Sequence, residues 1–420
     1  MYEIEYDVAV IGGGPAGLTA SIAAKKQGAK KVLIIERDCA LGGILQQCIH
    51  AGFGLSYFKE DLTGPEYAGR FIEEAQSLGV ETLLNSMVLE VLPQEGKIIC
   101  VNPQYGITCV KAKSVILAMG CRERTRSNIS IPGSRPAGIY TAGAAQRLIN
   151  RQNLMVGRVA VILGSGDIGM IMARRLTLEG AKVVSVVELL DYPAGLPRNR
   201  VQCLDDFGIP LMLSHTVTNI VGNHRVEGVW VAKVDENKKP IKETEQFIPC
   251  DTLLLSVGLI PENELSRSAH VEICPATNGP VVNQYMQTSI PSLFACGNVV
   301  HVNDLVDNVS IESEVAGRRA AEKAMGSLPQ IYDEISTIPG ENVKYICPQR
   351  IVQDGNDRDI PLYFRVAAPG KNMRVNVSCG GKQILSKKAV KVNPGEMEHV
   401  IINTSQFHKD DIVIDVVKEE

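Results

Sequence analysis

One pattern occurs twice in this chain and limits its fold more than any other feature. It is a short apolar run, a glycine-spaced loop, a stretch of helix formers, a second apolar run and a terminal acid. The first copy is YDVAVIGGGPAGLTASIAAKKQGAKKVLIIERD. DVAVI has the length and composition of a buried strand. Gly12, Gly14 and Gly17 form GxGxxG, with Pro15 and Ala16 between the last two. TASIAAKKQ is rich in helix formers and stops at Gly28, and KVLIIE ends on Glu36. Each part has a physical role: Gly12 permits the tight turn, Gly14 lets backbone approach a pyrophosphate, and Gly17 lets helix and strand pack closely. The helix N-terminus offers N–H groups and a positive dipole end to phosphates, and Glu36 can accept from a ribose.

The second copy is RVAVILGSGDIGMIMARRLTLEGAKVVSVVELL, with Gly164, Gly166 and Gly169 in the same spacing around Asp167 and Ile168. Glu188 lies as far beyond Gly169 as Glu36 lies beyond Gly17. Two such units imply two dinucleotides, and two dinucleotides imply electron transfer between them. An acid ending the second strand suits a free ribose 2′-hydroxyl and repels a 2′-phosphate, so the second loop is expected to take NAD(H) rather than NADP(H). Arg174 and Arg175 fall within the helix and read as surface charges rather than phosphate readers.

A length of 420 residues allows two or three domains, and a net charge of −4 argues against nucleic acid as the main partner. No apolar run reaches the roughly 20 residues of a membrane span. The first strand begins within a few residues of Met1, leaving no room for a signal peptide. Eleven cysteines without a CxxC suggest reduced thiols in a cytoplasmic protein rather than a disulfide framework.

Further stretches carry a family resemblance. KSVILAMGCRER resembles a strand ending in Ala-Thr-Gly, with Met119 in place of the Thr. TSIPSLFACGNVV resembles a strand ending in Gly-Asp, with Asn298 in place of the Asp. GLIPEN (258–263) resembles a loop near a nicotinamide. With the two glycine loops, these make the chain similar to the pyridine nucleotide-disulfide oxidoreductase superfamily over about residues 1–330. The resemblance implies an α/β fold with two Rossmann-like domains, the NAD domain inserted into the FAD domain. It places FAD on 1–120 and 280–330, NAD(H) on 121–279, and an accessory domain on 331–420. Implied FAD contacts are Gly12, Gly14, Pro15, Ala16, Gly17, Glu36, Arg37, Gly43, Val88, Ala118, Gly120, Gly297 and Asn298. Implied nicotinamide contacts are Gly164, Gly166, Asp167, Ile168, Gly169, Glu188 and Gly258. The helix following Asn298 would point its positive N-terminus at the flavin and stabilise the reduced ring.

A narrower resemblance, in CIHAGFG and IPGSRPAGIYTAGAAQRLIN (131–150), is to flavoprotein subunits of multi-subunit dehydrogenases. These include alpha subunits of sarcosine oxidase and archaeal proline dehydrogenase, a hydrogen cyanide synthase subunit, and above all bacterial flavoproteins found beside glycerol-3-phosphate dehydrogenase. It implies an oligomer that exchanges electrons between NAD(H) and a partner redox subunit, either glycerol-3-phosphate dehydrogenase-like or an iron-sulfur protein.

GGILQQCIHAGFG (42–54) bears on the chemistry. Counting along the disulfide-reductase pattern puts the two redox cysteines at Leu45 and His50, so both thiols are missing. Cys48 is either a packed small hydrophobe or a thiolate beside the flavin. His50 is either structural or a proton carrier. Direct hydride transfer between nicotinamide and flavin needs no cysteine. The alternatives are a flavin-bearing assembly protein without nicotinamide turnover, and a thiol, polysulfide or peroxide reductase using Cys48 alone.

FGLSYFKEDLTGPEY (53–67), with exposed-looking aromatics, reads as a flavin cap, a docking segment or a plain loop. Arg122, Arg124, Arg126, Arg135 and Arg147 form a basic cluster, either solvated or facing an acidic group. From about Tyr332 onward, short alternating runs split by Pro, Gly and Asn signal a small β-sandwich or barrel. His399 and His408 there make a poor metal pair, and no metal is expected.

Overall fold

The computed structural model describes residues 2–406 and 409–419, so His408 lies outside the described residues. The chain divides into two compact units, one of residues 1–121 with 261–420 and one of residues 122–260.

The first unit is built on a seven-stranded sheet. Strands Glu81–Leu83, Val32–Ile35, Tyr2–Ile11, Gly106–Leu117 and Leu293–Ala295 run parallel, and a meander of Lys97–Asn102 and Met87–Leu92 extends the edge. Strands covered on both faces must be apolar throughout, and Val8, Ala9, Val10 and Val32 to Ile35 are all buried. Helix Pro15–Gln27 starts at the expected glycine loop and stops where Gly28 turns left-handed. The long helix Val306–Ala324 packs against it so closely that a Cβ on Gly317 would lie 2.0 Å from the Ala20 carbonyl oxygen. Ala269 and Val271 join this unit's core, so the chain between 261 and 279 packs here rather than with the second loop.

The C-terminal part of the unit is a β-sandwich, as its alternating pattern suggests. A five-stranded and a three-stranded sheet enclose Ile351, Leu362, Phe364, Val377, Ile414 and their neighbours. The second unit carries a five-stranded parallel sheet with Val159–Leu163 at its centre, and a three-stranded antiparallel sheet, His215–Val221, Gly228–Lys233 and Gln246–Pro249. No described helix is long and apolar enough to cross a membrane.

Candidate functional site

In the first unit, four stretches far apart in sequence meet at the first glycine loop, and glycines stand at the meeting points. Gly12 has φ +108, and a Cβ there would lie 2.4 Å from the Ala118 carbonyl oxygen. A Cβ on Gly17 would lie 1.8 Å from the Gly12 carbonyl oxygen. Gly43 approaches Gly14 backbone to backbone, and Gly297 packs on Ala16. Gly14 is the N-cap of helix Pro15–Gln27, whose first turn carries no acid and has no side-chain cap. That helix end therefore keeps its N–H groups and positive dipole for an anion. Ala118 is tied to Ile11 through its N–H, and the Gly120 carbonyl accepts from Glu262.

Glu36 is buried and directed at the loop: Oε2 accepts the Gly13 N–H at 2.6 Å and Oε1 the Asp38 N–H at 2.7 Å. Arg37 is exposed and reaches Glu262 only at 4.0 Å. Val88, expected as a contact, has its side chain in the core of the unit, where the strand pairs it with Cys100. Asn298 Oδ1 accepts the Asn303 N–H at 2.9 Å, and Nδ2 donates to Cys121 Sγ at 3.6 Å, so the amide is oriented from within the unit.

The second unit repeats the arrangement. Gly164 has φ +98 and touches the Ser256 carbonyl, and Gly169 lies against Gly164. Glu188 Oε2 accepts from Ser165 N–H at 2.8 Å and Ser165 Oγ at 2.6 Å, and Oε1 from Leu190 N–H at 2.9 Å. Ser165, absent from the sequence expectations, braces the loop by also accepting the Ala194 N–H. Asp167 begins the helix behind Gly166, but its carboxylate accepts from Leu196 N–H and Asn199 Nδ2. Its side chain thus holds the 194–199 segment. Ile168 is partly buried against the core, and Gly258, at φ +102, lies beside Arg124.

Cys48 is buried and its Sγ–H turns back to the Ile44 carbonyl at 3.3 Å. Burial pushes its pKa up to about 12, so the thiol is the form this place favours. His50 is half-buried, with Nδ1 2.9 Å from the Ala51 carbonyl oxygen and its ring 5.0 Å from that of Phe53. No disulfide forms among the described residues.

The aromatics of 53–67 point inward. Tyr57, Phe58, Tyr67 and Phe71 form a cluster with centroids 4.9–5.4 Å apart, and Tyr67 and Phe71 are fully buried. The helix Val306–Ala324 does not end in a bare positive pole. Asp307, buried in its first turn, accepts N–H bonds from Gly54, Ser56 and Tyr57 at 2.7–3.2 Å. A carboxylate there offsets the dipole while fixing the 54–57 loop. Of the basic cluster, Arg126 is occupied by the carbonyls of Ile131, Gly133 and Ser134.

Two Rossmann-type units, each with a glycine loop leading into a helix N-terminus and a buried acid bonded to that loop, define an oxidoreductase with two dinucleotide sites. The chain belongs to the pyridine nucleotide-disulphide oxidoreductase family, whose model matches residues 6–323. Members are FAD-dependent oxidoreductases that bind FAD and NAD(P)H. The chain is 24% identical to one of the subunits of opine oxidase from Agrobacterium tumefaciens, over 79% of this chain and 68% of that protein. It is 26% identical to hydrogen cyanide synthase subunit HcnB of Pseudomonas protegens, over 69% and 65%. It is also 26% identical to the glutamate synthase [NADPH] small chain of Escherichia coli, over 76% and 68%. It thus spans about two thirds of the length of these relatives. Among solved structures, T. acidophilum thioredoxin reductase shares the fold at a TM-score of 0.62 and 22% identity, over 76% of this chain and 99% of that one. L-proline dehydrogenase from P. horikoshii does so at 0.54 and 19%, over 77% and 56%. The first-unit residues fit the FAD that family members bind: a Cβ at Gly12, Gly17 or Gly43 would lie 2.4, 1.8 and 3.0 Å from neighbouring backbone, so only glycine keeps this loop close-packed with its helix N-terminus.

Proposed function

We propose that this chain is an NAD(H)-linked flavoprotein subunit that passes hydride between a nicotinamide dinucleotide and FAD, and passes electrons on to a partner redox subunit. Gly12, Gly14, Gly17 and the N-terminus of helix Pro15–Gln27 would hold the FAD pyrophosphate, with Glu36 on the adenosine ribose. Gly164, Gly166 and Glu188 would do the same for NAD(H), with the acid disfavouring a 2′-phosphate. FAD, when bound, supplies a centre that takes a hydride as two electrons and releases them singly or in pairs. Glu312 fixes the Gly297 N–H at 2.7 Å and Asp307 fixes the 54–57 loop, so these residues orient and enclose rather than react.

The observation that carries this reading is the pair of acid-closed glycine loops combined with a Cys48 held as a buried thiol. Both features favour direct transfer between the nucleotides over a thiol relay. Three relatives described as subunits or a small chain support a partner redox protein. The finer choice, a glycerol-3-phosphate dehydrogenase-type complex, rests on the resemblance of 131–150 and the C-terminal stretch VNPGEMEHVII. The organic substrate would then bind the partner, since no residue of the two sites is placed as a carbon-acid base.

NADH oxidation by the purified protein with ferricyanide as acceptor tests this reading. Turnover supports it. Yellow, folded protein without turnover would favour a flavin-bearing assembly role instead. Glycerol 3-phosphate-dependent NAD+ reduction only after adding a co-purified subunit would support the finer choice, and its absence would remove it.

A further inference from the structure

The nine residues between Cys296 and Val306 are gripped from the C-terminal sandwich. Arg365, on strand Asp359–Val366, forms an ion pair with Asp304 and donates to the carbonyls of Val302 and Pro394, each at 3.0 Å. It also donates to the Tyr345 hydroxyl at 3.2 Å. The other Asp304 oxygen accepts the Met397 N–H at 2.6 Å. Four of the five guanidinium N–H groups and both carboxylate oxygens are thus engaged, which helps a largely buried pair hold its geometry.

Three residues upstream, His301 is wholly buried beside Cys347, with its ring 6.1 Å from Tyr345 and 6.3 Å from Tyr363, all three residues of the sandwich. Its Nε2 lies 2.8 Å from Glu312 Oε2, while Glu312 Oε1 accepts the Gly297 N–H at 2.7 Å. One buried carboxylate therefore joins the imidazole to the glycine that packs on Ala16. Burial alone would lower the His301 pKa, but Cys347 and the Glu312 carboxylate outweigh it and hold the imidazole protonated well above its usual value. The Glu312 carboxylate thus bonds the imidazole with one oxygen and the Gly297 N–H with the other, out of water.

We propose that the C-terminal sandwich is an integral part of the FAD site, with His301 and Arg365 as positioning residues that act through Glu312 and Asp304 to hold Gly297 and Asn298 on the cofactor. The proposal rests on the assignment of FAD to the first unit. It gives the sandwich a task inside its own chain, beyond docking.

The test uses full-length protein stripped of flavin. FAD affinity is read from quenching of flavin fluorescence, and the order of 296–305 is read in the apo protein by amide hydrogen exchange. His301→Gln leaves Glu312 without its charge partner and is expected to weaken FAD binding by roughly tenfold or more. The double variant His301→Gln with Glu312→Gln keeps an amide-to-amide contact and an acceptor for Gly297, and is expected to recover most of that loss. Arg365→Met is expected to weaken FAD binding and to speed exchange in 296–305 while the parallel strands stay protected. Folded variants with wild-type affinity and wild-type exchange in 296–305 would overturn the proposal. So would a double variant no better than the single one. Wild-type protein that takes up no FAD would sink the underlying assignment, a result separate from these.

Discussion

Replacing Glu188 by Gln tests the nicotinamide assignment with a calculable cost. The carboxylate is buried and accepts three bonds from donors: Ser165 N–H, Ser165 Oγ and Leu190 N–H. An amide has one acceptor oxygen. Whichever way it turns, its NH2 faces either Leu190 N–H or the two Ser165 donors, and at least one buried bond is lost. Leaving such a donor unsatisfied costs about 1–3 kcal/mol. For a unit of this size, that predicts a fall in melting temperature of a few to about 10 °C. The same carboxylate is assigned to the ribose hydroxyls, where a charged hydrogen bond contributes about 1.5–3 kcal/mol. NADH affinity should therefore fall by about tenfold to a hundredfold. NADPH should gain relative to NADH, because the charge facing its 2′-phosphate is gone. Steady-state kcat/KM with ferricyanide for both nucleotides, beside a melting curve, gives every quantity. A lowered melting temperature with an unchanged NADH/NADPH ratio would show that Glu188 only braces the loop, and would refute its role as ribose selector.

Other variants probe the remaining parts of the account. Gly17→Val puts a side chain where a Cβ already lies 1.8 Å from the Gly12 carbonyl oxygen, so the purified protein should lose its flavin absorbance. Cys48→Ser should cost about 1–2 kcal/mol of stability, read by urea denaturation, and leave the rate of flavin reduction by NADH unchanged. A large loss of rate in that folded variant would restore the thiol reading. Burial alone would raise Asp251, but bonds from the Thr252 hydroxyl and the Arg158 and Val159 N–H groups hold its pKa below the usual carboxylate value. A depressed folded-state pKa gives stability above the unfolded value of about 3.9 that is lost as pH falls through the folded one. Asp251→Asn should therefore lower the urea midpoint of the second unit at pH 6, with the deficit shrinking below about pH 4. A deficit independent of pH would contradict that assignment.

The glycine loops were legible because their requirements are local. A left-handed turn at Gly12, the close contact at Gly17 and an acid at the end of the next strand all lie within one short stretch. The alternating runs after Tyr332 announced a sandwich for the same reason. What escaped the sequence depends on partners far along the chain. The 53–67 aromatics look exposed until Asp307, some 250 residues on, is seen holding Gly54, Ser56 and Tyr57. That same acid altered the expected helix pole, although its letter was in plain view. Nothing near Asp167 in sequence signals its bonds to Leu196 and Asn199. Cys48 was left between two roles, and only the fold shows its burial and its bond to Ile44. Nothing in PLYFRVAAP signals that Arg365 reaches back to Asp304.

The central claim is that electrons pass between NADH and FAD without a thiol intermediate. An anaerobic titration of the FAD-loaded protein with NADH, following the flavin absorbance bands and counting equivalents, tests it most directly. Complete bleaching at one equivalent of NADH per flavin, unchanged after the accessible thiols are alkylated, is the predicted result. A requirement for two equivalents, or loss of bleaching on alkylation, would reveal a redox-active cysteine pair and contradict the account.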